Sequence, residues 1–194
     1  IINTSLLCSF SLMTVAVNAE DPWGRPKESF VNWENPHVHP LHITPDGSKL
    51  LAVNTPDNSL LVFDITGSGV NQIASIPVGL DPVSVRARTD DEVWVVNHVS
   101  DTVSVVSLSQ GKVIATLKTD DEPADVVFAG SPQRAFVSAS QANQLNVFNP
   151  SDLGAARQSI FINGEDPRAL AVSKDGSEVY VAIFESGNGT TVVT

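Results

Sequence analysis

Asp81-Pro82-Val83-Ser84-Val85, Val93-Trp94-Val95-Val96-Asn97, Asp101-Thr102-Val103-Ser104-Val105-Val106 and Val113-Ile114-Ala115-Thr116-Leu117 follow one another across residues 81–117. Each run is short and rich in β-branched residues, and Val103-Ser104-Val105 alternates apolar with polar as a half-buried strand does. The set recurs along the chain. His39-Pro40-Leu41-His42-Ile43 opens one copy, Glu122-Pro123-Ala124-Asp125-Val126 another and Asp166-Pro167-Arg168-Ala169-Leu170 a fourth. The anchor prolines 40, 82, 123 and 167 are spaced by 42, 41 and 44 residues. A period of this length with about four short strands per copy marks blades of a β-propeller. The prolines open strands, where a missing N–H is tolerated. Pro45-Asp46-Gly47 and Lys174-Asp175-Gly176 supply tight turns between the first two strands of a blade. A β-sandwich has similar turn spacing but leaves the period unexplained.

The expected fold is therefore all-β: four-stranded antiparallel blades, about three and a half to four of them, belonging to a ring of six to eight. The blades start near residues 39, 81, 122 and 166, and the partial propeller spans 39–194. A four-bladed ring closed by Ser29-Phe30-Val31-Asn32-Trp33 is the alternative. The second copy, with Val95-Val96-Asn97, Ser100-Asp101-Thr102-Val103-Ser104-Val105-Val106, Gly111-Lys112-Val113 and Glu122-Pro123, resembles the YVTN-type β-propeller repeat. The resemblance covers 39–194 and weakens in the third copy, where Ser138-Ala139 replaces Val-Asn. It implies an exported bacterial or archaeal propeller, in some members joined to cytochrome c or surface-layer modules. No Cys-x-x-Cys-His is present.

Composition narrows the function classes. The 194 residues carry a net charge of −11, all of it after residue 19. Such a chain lacks the Lys and Arg that binding to nucleic acid or anionic membrane requires. Residues 1–19 are uncharged, with an apolar stretch from Leu6 to Val17, and end in Val17-Asn18-Ala19 before Glu20-Asp21-Pro22. That is the pattern of a secretory signal peptide, too short to span a bilayer with its flanks, and it predicts a periplasmic or extracellular protein. The single cysteine, Cys8, would leave with it. Residues 20–38 read as a lead-in segment that could supply an outer closing strand. Both ends of the chain look cut, which predicts further blades beyond Thr194.

Candidate site residues follow from the topology. In a four-stranded meander the loop entering the first strand and the loop between the second and third lie on one face. His39, Asp81, Glu122 and Asp166 precede the anchor prolines, and Asn54, Asn97 and His98 end second strands. Together they are expected at the mouth of the central channel, as ligand-binding residues. Oxygen ligands there would suit Ca²⁺. The competing expectation is that these acids cap backbone N–H groups of their own turns. His37 and His39 share one side of an extended segment and are candidate Zn²⁺ or Cu²⁺ ligands. No catalytic residue and no cofactor is evident. The leading reading is an exported binding scaffold recognising a protein, cell-envelope or small ligand. The alternatives are a propeller hydrolase of lactonase type and a propeller module of a larger cytochrome c-containing redox protein.

Overall fold

Among the described residues, three antiparallel four-stranded sheets and a two-stranded one follow each other. The computed structural model describes residues 35–67 and 69–185. The signal segment, Cys8 and the Ser29–Trp33 closing strand lie outside them. The first sheet holds β1 (Leu41–Ile43), β2 (Lys49–Asn54), β3 (Ser59–Thr66) and β4 (Gly69–Pro77), with a short 3-10 turn over Thr55–Asp57. The second holds β5 (Pro82–Ala87), β6 (Glu92–Asn97), β7 (Thr102–Ser107) and β8 (Lys112–Lys118). The third holds β9 (Pro123–Ala129), β10 (Arg134–Ala139), β11 (Gln144–Phe148) and β12 (Gln158–Phe161). The last pair is β13 (Glu165–Val172) and β14 (Val179–Glu185). Each sheet pairs its strands in sequence order, which is the meander of a propeller blade. Among the described residues no helix is long and apolar enough to cross a membrane.

The blades are held by one apolar layer per junction. Leu51, Leu60, Val62 and Ile76 of the first blade meet Val85, Val93, Val95 and Val106 of the second. The opposite side of that blade presents Val83, Trp94, Val96, Val103 and Val105 to Val126, Ala135, Val137 and Phe148 of the third. The two-residue period of a strand explains this: alternate side chains serve alternate neighbours. Because the middle blade is covered on both faces, its central strands β6 and β7 are buried almost throughout. Trp94 is fully buried and meets Phe128 edge-on at 5.4 Å between ring centres. Tyr180, on β14, is not part of this core. It is 56% exposed and its hydroxyl donates to Glu178, because among the described residues no strand packs beyond β14.

The first strands are also stitched side by side. The Ser84 hydroxyl donates to the Ala124 carbonyl at 2.7 Å and accepts the His39 N–H at 3.0 Å, linking three blades. Asp125, 1% exposed, accepts the Leu170 N–H at 3.0 Å and pairs with Arg86 at 3.1 Å. These bonds satisfy polar groups that adjacent inner strands, too splayed to pair fully, leave behind.

Candidate functional site

The acids before the anchor prolines sit in an unusual backbone conformation. Asp81, Glu122 and Asp166 have φ of 58°, 54° and 55°. Such left-handed values are uncommon outside glycine, and more so for Glu than for Asp or Asn. Three further residues share it: Asn58, Asp101 and Asn143, at φ of 50°, 51° and 52°, each in the turn between second and third strands. The two sets are joined. The Asn58 side-chain oxygen accepts the Asp81 N–H at 2.9 Å, Asp101 that of Glu122 at 3.0 Å, and Asn143 that of Asp166 at 3.0 Å. Each clasp ties one blade to the first residue of the next, on the face where both loops meet.

This reverses the expected capping. The acids donate their own N–H groups, and the turn residues of the preceding blade accept them. The carboxylates are left to other partners. Asp81 Oδ2 accepts from Asn35 at 3.1 Å, while its Oδ1 is buried without a hydrogen bond. Glu122 faces His98, Oε2 to Nε2 at 3.7 Å. Asp166 lies 3.6 Å from the Arg168 guanidinium. Just past each of these prolines the inner strand is bulged against its neighbour, as the register shifts between Pro82 and Ser84 and between Pro167 and Leu170 show. A bulge re-aims the side chains around it.

A cavity of about 350 Å³ opens beside Glu122 and Asp166. His98, Ser140, Asn143, Glu165, Arg168 and Glu185 also line it. His98 is the group best held there. Its side chain is 2% exposed, and Nδ1 contacts the Pro123 carbonyl at 2.9 Å. A carbonyl only accepts, so Nδ1 carries a proton, and the ring turns Nε2 toward Glu122. Thr55 holds the same repeat position one blade earlier, and its hydroxyl donates to the Pro82 carbonyl at 2.7 Å. The position is thus a bridge between blades, made with an imidazole only in the second.

The remaining candidates separate. Asp81 borders a neighbouring cavity of about 300 Å³ with Asn35, Thr55 and Asn58. Asn97 is buried in the second blade, where its amide donates to Thr102 and Ser104 at 3.1 and 3.0 Å. Asn54 ends β2 beside Ser59, and its side chain makes no capping bond to the 3-10 turn. His39 lies against His42, with ring centres 5.7 Å apart. Burial and then the Arg86 guanidinium lower the pKa of both rings, against an opposing pull from Asp125. His37 Nε2 lies 2.5 Å from the Thr55 hydroxyl, and so donates to it, since the hydroxyl proton is given to Pro82. Among the described residues no three His, Cys, Asp or Glu side chains gather to hold a metal ion.

Sequence reasoning missed Asn143, Glu165 and Arg168. Arg168 carried a readable signal: it stands where Leu41, Val83 and Ala124 stand in the other copies, a cation in an apolar position.

Residues 25–194 match the family described as Lactonase, 7-bladed beta-propeller. Over 132 residues the chain is 29% identical to Protein NirF of Pseudomonas aeruginosa, covering 66% of this chain and 32% of that protein. Hydrazine synthase of Kuenenia stuttgartiensis superposes with a TM-score of 0.70 at 23% identity, over 84% of this chain and 47% of that one. A Bacteroides uniformis protein assigned as a 6-phosphogluconolactonase superposes with a TM-score of 0.62 at 17% identity, over 77% and 48%. The chain thus spans about a third of the curated relative and about half of these solved structures. With most of its length matched, the chain belongs to the lactonase family of 7-bladed β-propellers.

Proposed function

We propose that the protein of which this chain forms part hydrolyses a lactone in the top-face cavity. The family match moves weight from a scaffold without chemistry to the hydrolase alternative. The observation that carries the reading is the buried His98, with Nδ1 tied to Pro123 and Nε2 turned to Glu122 beside a cavity.

Lactone opening needs a base for water, a stabiliser for the oxyanion and a proton for the leaving alkoxide. His98 Nε2 is the base in this reading. Water oxygen bonds to the acyl carbon as Nε2 takes its proton, and Glu122 stabilises the imidazolium that forms. The Arg168 guanidinium at the cavity wall faces the charge on the acyl oxygen. The ring C–O bond then breaks, the imidazolium returns its proton to the departing oxygen, and a hydroxy acid leaves. The Nδ1–H bond to Pro123 supports this assignment, since it fixes the ring's orientation and leaves Nε2 as the nitrogen available to take a proton.

The test is a panel of lactones with the full-length protein and its His98→Gln and Glu122→Gln variants. Each variant is expected to lose about 10²-fold or more in kcat, the ordinary worth of a positioned general base. Unchanged turnover in His98→Gln removes the mechanism. Binding without turnover in the parent returns the protein to the scaffold reading. The redox-module reading is separated by the visible spectrum of the full-length protein, where a covalent haem absorbs strongly and a lactonase does not.

Two finer points belong to the same proposal. The clasp residue Asp101 falls at the Asp of the YVTN-type Ser-Asp step, which supports that repeat subtype, while Asn143 stands at the same position in the third copy. Export rests on residues 1–19 alone.

A further inference from the structure

The charge of the cavity wall speaks to the substrate. Glu122, Glu165, Asp166 and Glu185 line it, and Arg168 is the one cation among the described lining residues. Arg168 is already engaged: one Nη lies 3.6 Å from Asp166 and the other donates to the Pro36 carbonyl at 3.3 Å, and in the hydrolase reading its remaining N–H groups serve the acyl oxygen rather than a second anion. Two of the acids are paired against each other. Glu165 and Glu185 are directly opposite across β13 and β14. Like charges in that position destabilise a sheet, so the pair is a cost carried at the wall of a cavity. His98, 2% exposed, lies at the same cavity with Nδ1 on the Pro123 carbonyl and Nε2 3.7 Å from Glu122.

We infer that this cavity selects a lactone that is neutral or positively charged beyond its ring and rejects a phosphorylated one. The inference rests on the hydrolase reading of the same site and names its substrate class. A phosphate dianion entering here meets four carboxylates, two of them on the exposed Glu165 and Glu185, with no free guanidinium or ammonium among the described lining groups to receive it. An ammonium or a ring of hydroxyls meets acceptors. Substrate charge would thus differ from that of the phosphorylated lactone named for the Bacteroides uniformis protein, within one fold.

The experiment is calorimetric titration of the full-length protein with three lactams, which bind without being opened: δ-gluconolactam, its 6-phosphate, and its 6-amino-6-deoxy counterpart. The expected result is that the neutral and ammonium forms bind and the phosphate binds at least about tenfold more weakly at low salt, the gap narrowing as salt rises. The double variant Glu165→Gln/Glu185→Gln, which relieves a repulsive pair and should melt no lower than the parent, is expected to narrow the gap as well. The inference is overturned if the phosphate binds as tightly as the neutral lactam, if none binds, or if the gap ignores the double variant. Lactams that bind in the expected order while the matching lactones stay closed would leave the selectivity standing and remove the hydrolase reading.

Discussion

Glu122 shows how a single residue separates structure from function. Its left-handed backbone suits glycine, and its N–H bond to Asp101 would survive any side chain. The carboxylate therefore contributes little to the clasp and faces His98 instead. Glu122→Gly is expected to leave the melting temperature unchanged, or raise stability by up to about 1 kcal/mol, while turnover falls about 10²-fold. A residue present for folding alone would show the opposite, a lower melting temperature with turnover intact. His39 and His42 give a pH effect at the same scale. Their pKa values are lowered in the fold, by burial first and then by Arg86. The unfolded chain therefore takes up protons first as pH falls through about 6.5. Stability is full above that value and decreases below it. Thermal melts between pH 7.5 and 5.5 should fall for the parent and fall less for His39→Gln/His42→Gln. The exposed Asp46 and Asp175, held at about 2 by hydrogen bonds within their turns, act only below about 3.8 and so do not enter that window.

At the scale of elements the blade junction decides stability. Removing one clasp by Asn143→Ala should cost about 1–2 kcal/mol, since it leaves the Asp166 N–H without its acceptor and places alanine at positive φ. Chemical denaturation with an unchanged m-value is the check. Gly79 makes a sharper case. A methyl there would come within 2.6 Å of the Asn97 amide and 2.5 Å of the Ser100 hydroxyl, so Gly79→Ala should destabilise by about 1–3 kcal/mol. Gly164 occupies the same place against Ile183. In the third blade Asp120 takes the glycine's position, and the facing strand residue is Ala139. That exchange gives a physical reason for the weakening of the repeat at Ser138-Ala139: the bulk has moved from strand to loop. Strands and period were legible because each blade repeats the same local problem. The clasp was half legible, through Asn and Asp at one repeat position. The His98 bridge to Pro123 was not, because it crosses blades, and a period carries no information about how neighbouring blades are rotated.

On the scale of the whole molecule, chemistry gathers where two blades meet. The clasps hold the acids at the blade junctions, the bulges re-aim the side chains after each proline, and two departures from the repeat line one cavity. Thr55 becomes His98 and Val83 becomes Arg168. A scaffold made only of repeats has no use for those two changes in one cavity. The face was predictable from topology; the choice of the third blade junction over the others was not, because it depends on single substitutions within a common frame. The most direct measurement is the turnover of a neutral δ-lactone by the full-length protein beside its His98→Gln variant. The account predicts ring opening by the parent and about a 10²-fold or greater loss in kcat for the variant, with the variant still folded at the assay temperature. Equal turnover by both, or none by the parent, would contradict it.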